Sequence, residues 1–178
     1  AKGVVTAKAK GTAVITATCG EYTASCTVTV KSPAVSLNKT KATLYTKGSN
    51  KVTLKASLKD LTGNVVYTSS NAKVAAVNKT TGVVTAKAKG TAVITATCGD
   101  YSATCTVTVK TPTLKLAKTS ASIKVGKKTT IKATATPTGT VKYTSSNKKI
   151  ATVSSKGVVT GKKKGTAKIT ATCNGVSK

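Results

Sequence analysis

One string, GVVTAKAKGTAVITATCG, occupies residues 3–20 and recurs letter for letter at 82–99; a looser copy, GVVTGKKKGTAKITATCN, runs from Gly157 to Asn174. Internal repetition constrains the fold more than any short motif does, because each copy must belong to the same structural unit. The offset is 79 residues from Gly3 to Gly82 and 75 from Gly82 to Gly157. That is too long for a solenoid turn and about right for a small domain. The rest of the unit repeats as well: VVYTSSNAKVAAVN (65–78) matches VKYTSSNKKIATVS (141–154), and SLNKTKATLY (36–45) matches KLAKTSASIK (115–124). The chain divides accordingly. Residues 1–31 are the C-terminal part of a repeat, 32–111 a complete repeat, and 112–178 a repeat lacking its last strand. A slice through a longer array is expected, since the chain begins at Ala1 with no recognisable signal peptide.

The local pattern is β. In TAVITATC, Ala92, Ile94, Ala96 and Cys98 fall on one face and Thr91, Val93, Thr95 and Thr97 on the other, the alternation of a half-buried strand. β-branched residues dominate, and Gly-containing turn signals recur at short intervals, so helix is disfavoured. Several short strands per unit predict an all-β sandwich with Ile, Leu and Val faces packed across two sheets.

Composition removes most chemistry. The 30 basic residues are all Lys, the acids are Glu21, Asp60 and Asp100, and there is no His, Met, Trp or Phe. Without His the usual proton carrier at neutral pH is missing. Residues 112–178 hold no carboxylate at all, so no acid/base pair and no carboxylate-rich Ca²⁺ site can be common to the repeats. No C-x-x-C spacing suggests zinc, and no Gly-rich phosphate loop is present. The expectation is a non-enzyme with no catalytic, cofactor or metal residues. No apolar run is long enough for a membrane-spanning helix.

The combination of YTSSN-x-K-V/I-A-x-V, then G-V-V-T-A/G-x-x-x-G-T-A-x-I-T-A, then A-T-C-T-V-T-V resembles the bacterial immunoglobulin-like domain, group 2, over essentially the whole chain. The resemblance implies tandem Ig-like β-sandwiches arranged as a rod, of the kind found in stalks of intimin- and invasin-like adhesins, Gram-positive surface proteins and phage virions. It implies an extracellular location, at a bacterial cell surface or secreted. Where the family often carries Trp, this chain has Tyr67 and Tyr143, read as core anchors with the hydroxyl reaching an edge. Lys–Asn isopeptide cross-links of some such stalks need a buried acid, which the last copy lacks.

Two residue sets remain candidates. Cys19 with Cys26, and Cys98 with Cys105, recur as pairs on the last two strands, while Cys173 stands alone. Their joint recurrence favours hairpin disulfides, which an extracellular chain permits. A tight two-residue turn, however, would set Cys19 opposite Tyr22 and Cys26 opposite Ile15, beyond disulfide reach; a wider loop or bulge is then required, and buried thiols acting as small hydrophobes are the alternative. Tyr22 and Tyr101 follow the Gly-Glu and Gly-Asp turns, where an aromatic can stack on a sugar or pack against a neighbouring domain. The Ser-Ser-Asn of YTSSN reads as a turn, not a nucleophile. The sequons at Asn38 and Asn78 are short patterns.

Net charge is +27, spread through every copy. Such a field attracts polyanions. One reading is a solvated, Lys-biased surface; another is attachment to anionic glycans or cell-wall polymers. The absence of Arg, Phe and Trp argues against specific nucleic-acid recognition. Three functions are therefore expected to compete: a spacer or stalk segment that pairs with neighbouring Ig-like repeats, a module binding anionic polymers, and a filament or virion subunit assembled by strand completion.

Overall fold

A computed structural model describes residues 2–178, all of whose regular elements are β-strands. The chain opens with a hairpin of β1 (Gly11–Cys19) and β2 (Tyr22–Val30), paired antiparallel with Cys19 opposite Tyr22 and Ile15 opposite Cys26. The complete repeat follows. Its strands are β3 (Ala34–Leu37), β4 (Lys41–Tyr45), β5 (Lys51–Thr53), β6 (Ala56–Lys59) and β7 (Val66–Ser69), then β8 (Ala75–Val77), β9 (Val83–Ala86), β10 (Gly90–Cys98) and β11 (Tyr101–Lys110).

One sheet runs β4-β11-β10-β7, with β4 parallel to β11. Facing it are β3-β6 and β5-β9-β8, in which β5 and β6 are two halves of one strand interrupted at Leu54–Lys55. The interruption has a specific repair. Leu54 N–H donates to the Gly82 carbonyl at 3.0 Å, and Ala56 N–H donates to the Tyr67 hydroxyl at 3.0 Å. Tyr67 thus fills the core with its ring and replaces a lost ladder bond with its hydroxyl, which Trp or Phe could not do. Gly82 is required beside it: its φ is +66°, and a Cβ there would lie 2.8 Å from Tyr67 Cζ.

The core between the sheets contains Leu44, Leu54, Val84, Ile94, Cys105 and Val107, each nearly or fully inaccessible. Burying each such aliphatic side chain is worth about 1.5–3 kcal/mol. The face assigned from alternation, Ala92, Ile94, Ala96 and Cys98, is the buried one. The same residues in β1, in the same sequence, are exposed; Ile15 is 41% exposed and Ile94 0%. The difference is entirely one of partners, since β10–β11 is flanked by β7 and β4 and faces a second sheet.

The third repeat reproduces this plan with β12 (Thr113–Leu116), β13 (Lys128–Thr130), β14 (Ala133–Thr136), β15 (Lys142–Ser145), β16 (Ala151–Val153), β17 (Val158–Gly161), β18 (Ile169–Cys173) and β19 (Val176–Ser177). The strand interruption recurs between β13 and β14, with Ala133 N–H donating to the Tyr143 hydroxyl at 3.0 Å and Ile131 N–H to Gly157 at 2.8 Å. β19 spans two residues, and residues 120–124, the counterpart of β4, form no strand. The core is correspondingly thinner, centred on Leu114, Ala171 and Cys173.

Candidate functional site at the junction between repeats

Each repeat has two ends. At one lie the start of its first strand, the loop after β6 and the β10–β11 turn: Ala34 pairs with Lys59, and a Cβ on Gly63 would sit 3.1 Å from Cys98 Sγ. At the other lie the β4–β5 turn, the loop before β8, the loop after β9 and the end of β11. Backbone bonds tie these together: Ala86 N–H to Asn50 O (2.8 Å), Lys87 N–H to Val74 O (2.8 Å) and Thr46 N–H to Lys110 O (3.0 Å).

The second end of the complete repeat meets the first end of the next. Lys110–Pro112 joins them, and the β4–β5 turn reaches across. A Cβ on Gly48 (φ +81°) would stand 2.8 Å from the Asn174 side chain and 3.1 Å from Pro137. A Cβ on Gly175 would stand 2.7 Å from Lys47 Cδ. Asn174, itself at φ 49°, donates from Nδ2 to the Pro137 carbonyl at 2.7 Å, pinning the opposite side of the contact. The turn preceding the complete repeat carries an ion pair, Lys31 Nζ to Asp60 Oδ1 at 3.5 Å, with the lysine largely exposed; such a pair contributes little to stability.

The cysteine pairs are not joined. All five are free thiols. The turns are tight, so Cys98 lies opposite Tyr101 and Cys105 opposite Ile94; four residues of ladder, roughly 13 Å at strand rise, separate the two sulfurs' strand positions. The bulge that a hairpin disulfide needs is not there, and Cys98, Cys105 and Cys173 serve as small buried hydrophobes. Cys19 and Cys26 are in the same register but exposed. Burial raises the Cys105 thiol above its ordinary range, with nearby Lys39 partly offsetting this.

Tyr22 is 85% exposed and Tyr101 39% exposed at their hairpin tips. The Ser-Ser-Asn groups are spent on backbone. Ser69 donates to Ala75 O (2.7 Å), Ser70 Oγ accepts from Val93 N–H (2.9 Å), and Asn71 Oδ1 accepts from Lys73 N–H (3.1 Å). Ser145, Ser146 and Asn147 repeat the set. Asn38 and Asn78 are likewise engaged, accepting from Lys55 N–H and from Thr80 and Thr81 N–H. Among the described residues no group of three or more His, Cys, Asp or Glu could hold a metal, and no helix is long and apolar enough to cross a membrane. The depression over β8–β9, about 430 Å³ and lined by Val77, Asn78, Thr85 and Lys87, is an open groove without an acid or a paired nucleophile.

The profile for the bacterial Ig-like domain (group 2) matches residues 29–109 and again 110–178. Among solved structures, the S-layer protein rSbsC(31-844) aligns at 26% identity over 94% of this chain and 31% of that one, TM-score 0.45. SbsC domains 4 and 5 align at 30% identity over 56% of this chain and 65% of theirs, TM-score 0.38. A C-terminal fragment of intimin, in complex with the intimin-binding domain of its translocated receptor, aligns at 21% identity over 61% and 43%, TM-score 0.43. The chain thus spans about a third of the length of the first of these. No curated protein matches significantly.

Proposed function

The chain belongs to the bacterial Ig-like domain (group 2) family, and on that premise we propose that it is a non-catalytic spacer: a stalk segment of a bacterial extracellular surface or adhesin-like protein. The observation that carries this reading is the junction, where Gly48 and Lys47 of one repeat abut Asn174, Pro137 and Gly175 of the next. A connection of two residues between β11 and β12, Thr111 and Pro112, leaves little slack. Contact plus a short linker sets the direction in which one repeat follows another, which is what a spacer must do. The Ser-Ser-Asn side chains are engaged in turns, and no buried side-chain nitrogen or oxygen among the described residues lacks a hydrogen-bond partner. The same premise supports neighbouring repeats as the chain's principal partners.

Small-angle scattering tests the reading. With strands of nine or ten residues, each repeat is about 30 Å long, so the two larger repeats in line should give a maximum dimension above 60 Å and a narrow distance distribution. Inserting eight Gly/Ser residues between Thr111 and Pro112 should broaden it. A native distribution already as broad as that of the insertion variant would sink the semi-rigid spacer.

A further inference from the structure

The junction supplies a template for a second contact. Lys47 and Gly48 of the complete repeat are received by Asn174, Gly175 and Pro137 of the third. The complete repeat has the same socket at its own first end. Cys98 matches Cys173 in the repeated string, so Gly99 and Asp100 stand where Asn174 and Gly175 do. Lys59 pairs with the start of β3 as Thr136 pairs with the start of β12, so Asp60, the next residue, stands where Pro137 does. Two of the three receiving positions are therefore carboxylates. With Glu21 on the β1–β2 turn they are the only acidic side chains in a chain of 30 lysines.

The socket is open. A Cβ on Gly99 would meet nothing within 4 Å, Asp100 is exposed, and Tyr101 beside it is 39% exposed. Among the described residues the one cation paired there is Lys31 of the linker, 3.5 Å from Asp60.

A turn that fits the socket stands at the second end of the third repeat. Lys51 and Lys128 open matching strands, opposite Thr85 and Thr160, so residues 124–128 are a shorter counterpart of the β4–β5 turn. Gly126 has φ +79°, beside +81° for Gly48. A Cβ on Gly126 would meet nothing within 4 Å. Val125 precedes it as Lys47 precedes Gly48 and is 60% exposed. Lys124 and Lys127 flank the pair, both exposed.

We propose that this turn docks into the socket of a second copy of the chain, so that copies associate end to end with the polarity that the repeats have within one molecule. Lys124 and Lys127 then face Asp60 and Asp100, and Val125 packs against Tyr101. The partner is set by charge and by precedent: the carboxylates of the complete repeat lie only in its socket, and the internal junction already seats the same kind of turn on the same positions. Complementarity of this sort fixes partner and register more than it adds affinity. Because the two surfaces differ, the contact does not close on itself, and the product is an open string whose length rises with concentration. The proposal goes beyond the spacer reading, which stands without it.

Sedimentation equilibrium tests the association, with reductant present to keep the exposed Cys19 and Cys26 from cross-linking. At ~0.15 M salt the screening length of about 8 Å weakens repulsion between distant lysines while leaving close pairs. The contact is smaller than a standard interface, and the expected Kd is about 0.1–1 mM. Asp60→Asn with Asp100→Asn should weaken it about tenfold, a few-fold for each exposed ion pair. Two further variants are decisive. Asp60→Asn with Asp100→Lys reverses the socket, and Lys124→Glu with Lys127→Glu reverses the turn. Melting curves check that each folds. Each alone should stay monomeric. Mixed in equal amounts they should associate as the native chain does, because the lysine turn then meets a native socket and the glutamate turn a reversed one. Both variants stay strongly basic, so bulk charge does not draw them together. The reversed turn also lowers the net charge, so self-association of that variant as strong as or stronger than the native chain's would show that general repulsion governs and would overturn the proposal. A native chain still monomeric at ~1 mM, or a mixture that stays monomeric, would do the same.

Discussion

Ile15 and Ile94 occupy the same place in identical sequence, yet one is 41% exposed and the other fully buried. Replacing each with Ala isolates what tertiary partners contribute. At Ile94 the change removes three carbons from the core. At about 0.8 kcal/mol per buried carbon the transfer cost is roughly 2.4 kcal/mol; incomplete relaxation around the cavity brings the loss to about 3–4 kcal/mol. At Ile15 only a strand preference is lost, below about 1 kcal/mol. Thiol labelling under native conditions reads the difference. Cys105 is inaccessible and lies directly opposite Ile94, so a reagent reaches it only when the sandwich opens, and its labelling rate follows the open population. Since about 1.4 kcal/mol is tenfold, Ile94→Ala should accelerate Cys105 labelling by two orders of magnitude or more. Ile15→Ala should leave it within a few-fold. Cys26, exposed in the same register, supplies the rate of an unprotected thiol. Equal effects of the two substitutions, or native Cys105 labelling as fast as Cys26, would refute the reasoning.

Other expectations follow from the same core. Tyr67→Phe keeps the ring but strands the Ala56 amide, which should cost about 1–3 kcal/mol in urea denaturation; Tyr143→Phe should do the same in the third repeat. Gly82→Ala forces a side chain into a left-handed conformation, itself worth about 1–2 kcal/mol, and drives its Cβ against Tyr67 and the Leu54 carbonyl; the melting temperature should fall by more than for Gly99→Ala, where a Cβ meets nothing within 4 Å. Burial raises the Cys105 pKa above its ordinary 9.0, so the folded chain keeps a proton that the unfolded chain releases. The associated stability is complete below about pH 9 and declines as pH rises through the folded value. Native stability should therefore fall more steeply above pH 9 than that of Cys105→Ala, and parallel pH profiles would contradict this.

Local pattern was legible because it is dictated by local physics. Alternation identified the buried face of β10, and the matched Tyr67 and Tyr143 identified core anchors with useful hydroxyls. Whatever depended on distant partners was not. The string that predicts a buried face in β10 also occurs in β1, where that face is open. The cysteine pairing turned on whether the hairpin turn was tight or bulged, and the tight register leaves Cys98 and Cys105 unpaired. The contact of Gly48 with Asn174 and Pro137 joins residues more than eighty positions apart, with no periodicity to reveal it.

The short linker before the complete repeat has a further consequence. Hairpin 11–30 differs from hairpin 90–109 at only three positions, Glu21, Thr23 and Ser25 against Asp100, Ser102 and Thr104, so as a ladder it could substitute for β10–β11 on the same scaffold. Connectivity forbids that within one molecule. In the substituted arrangement Val30 would take the place of Val109 beside Leu44, whereas β3 begins at the opposite end, near Cys98. Crossing that distance means covering nearly the length of β11, ten residues and about 33 Å. Lys31–Pro33 offers three residues and at most about 11 Å. The tether thus acts as a proofreader: it lets near-identical repeats stand side by side in one polypeptide while denying each the freedom to fold with its neighbour's strands.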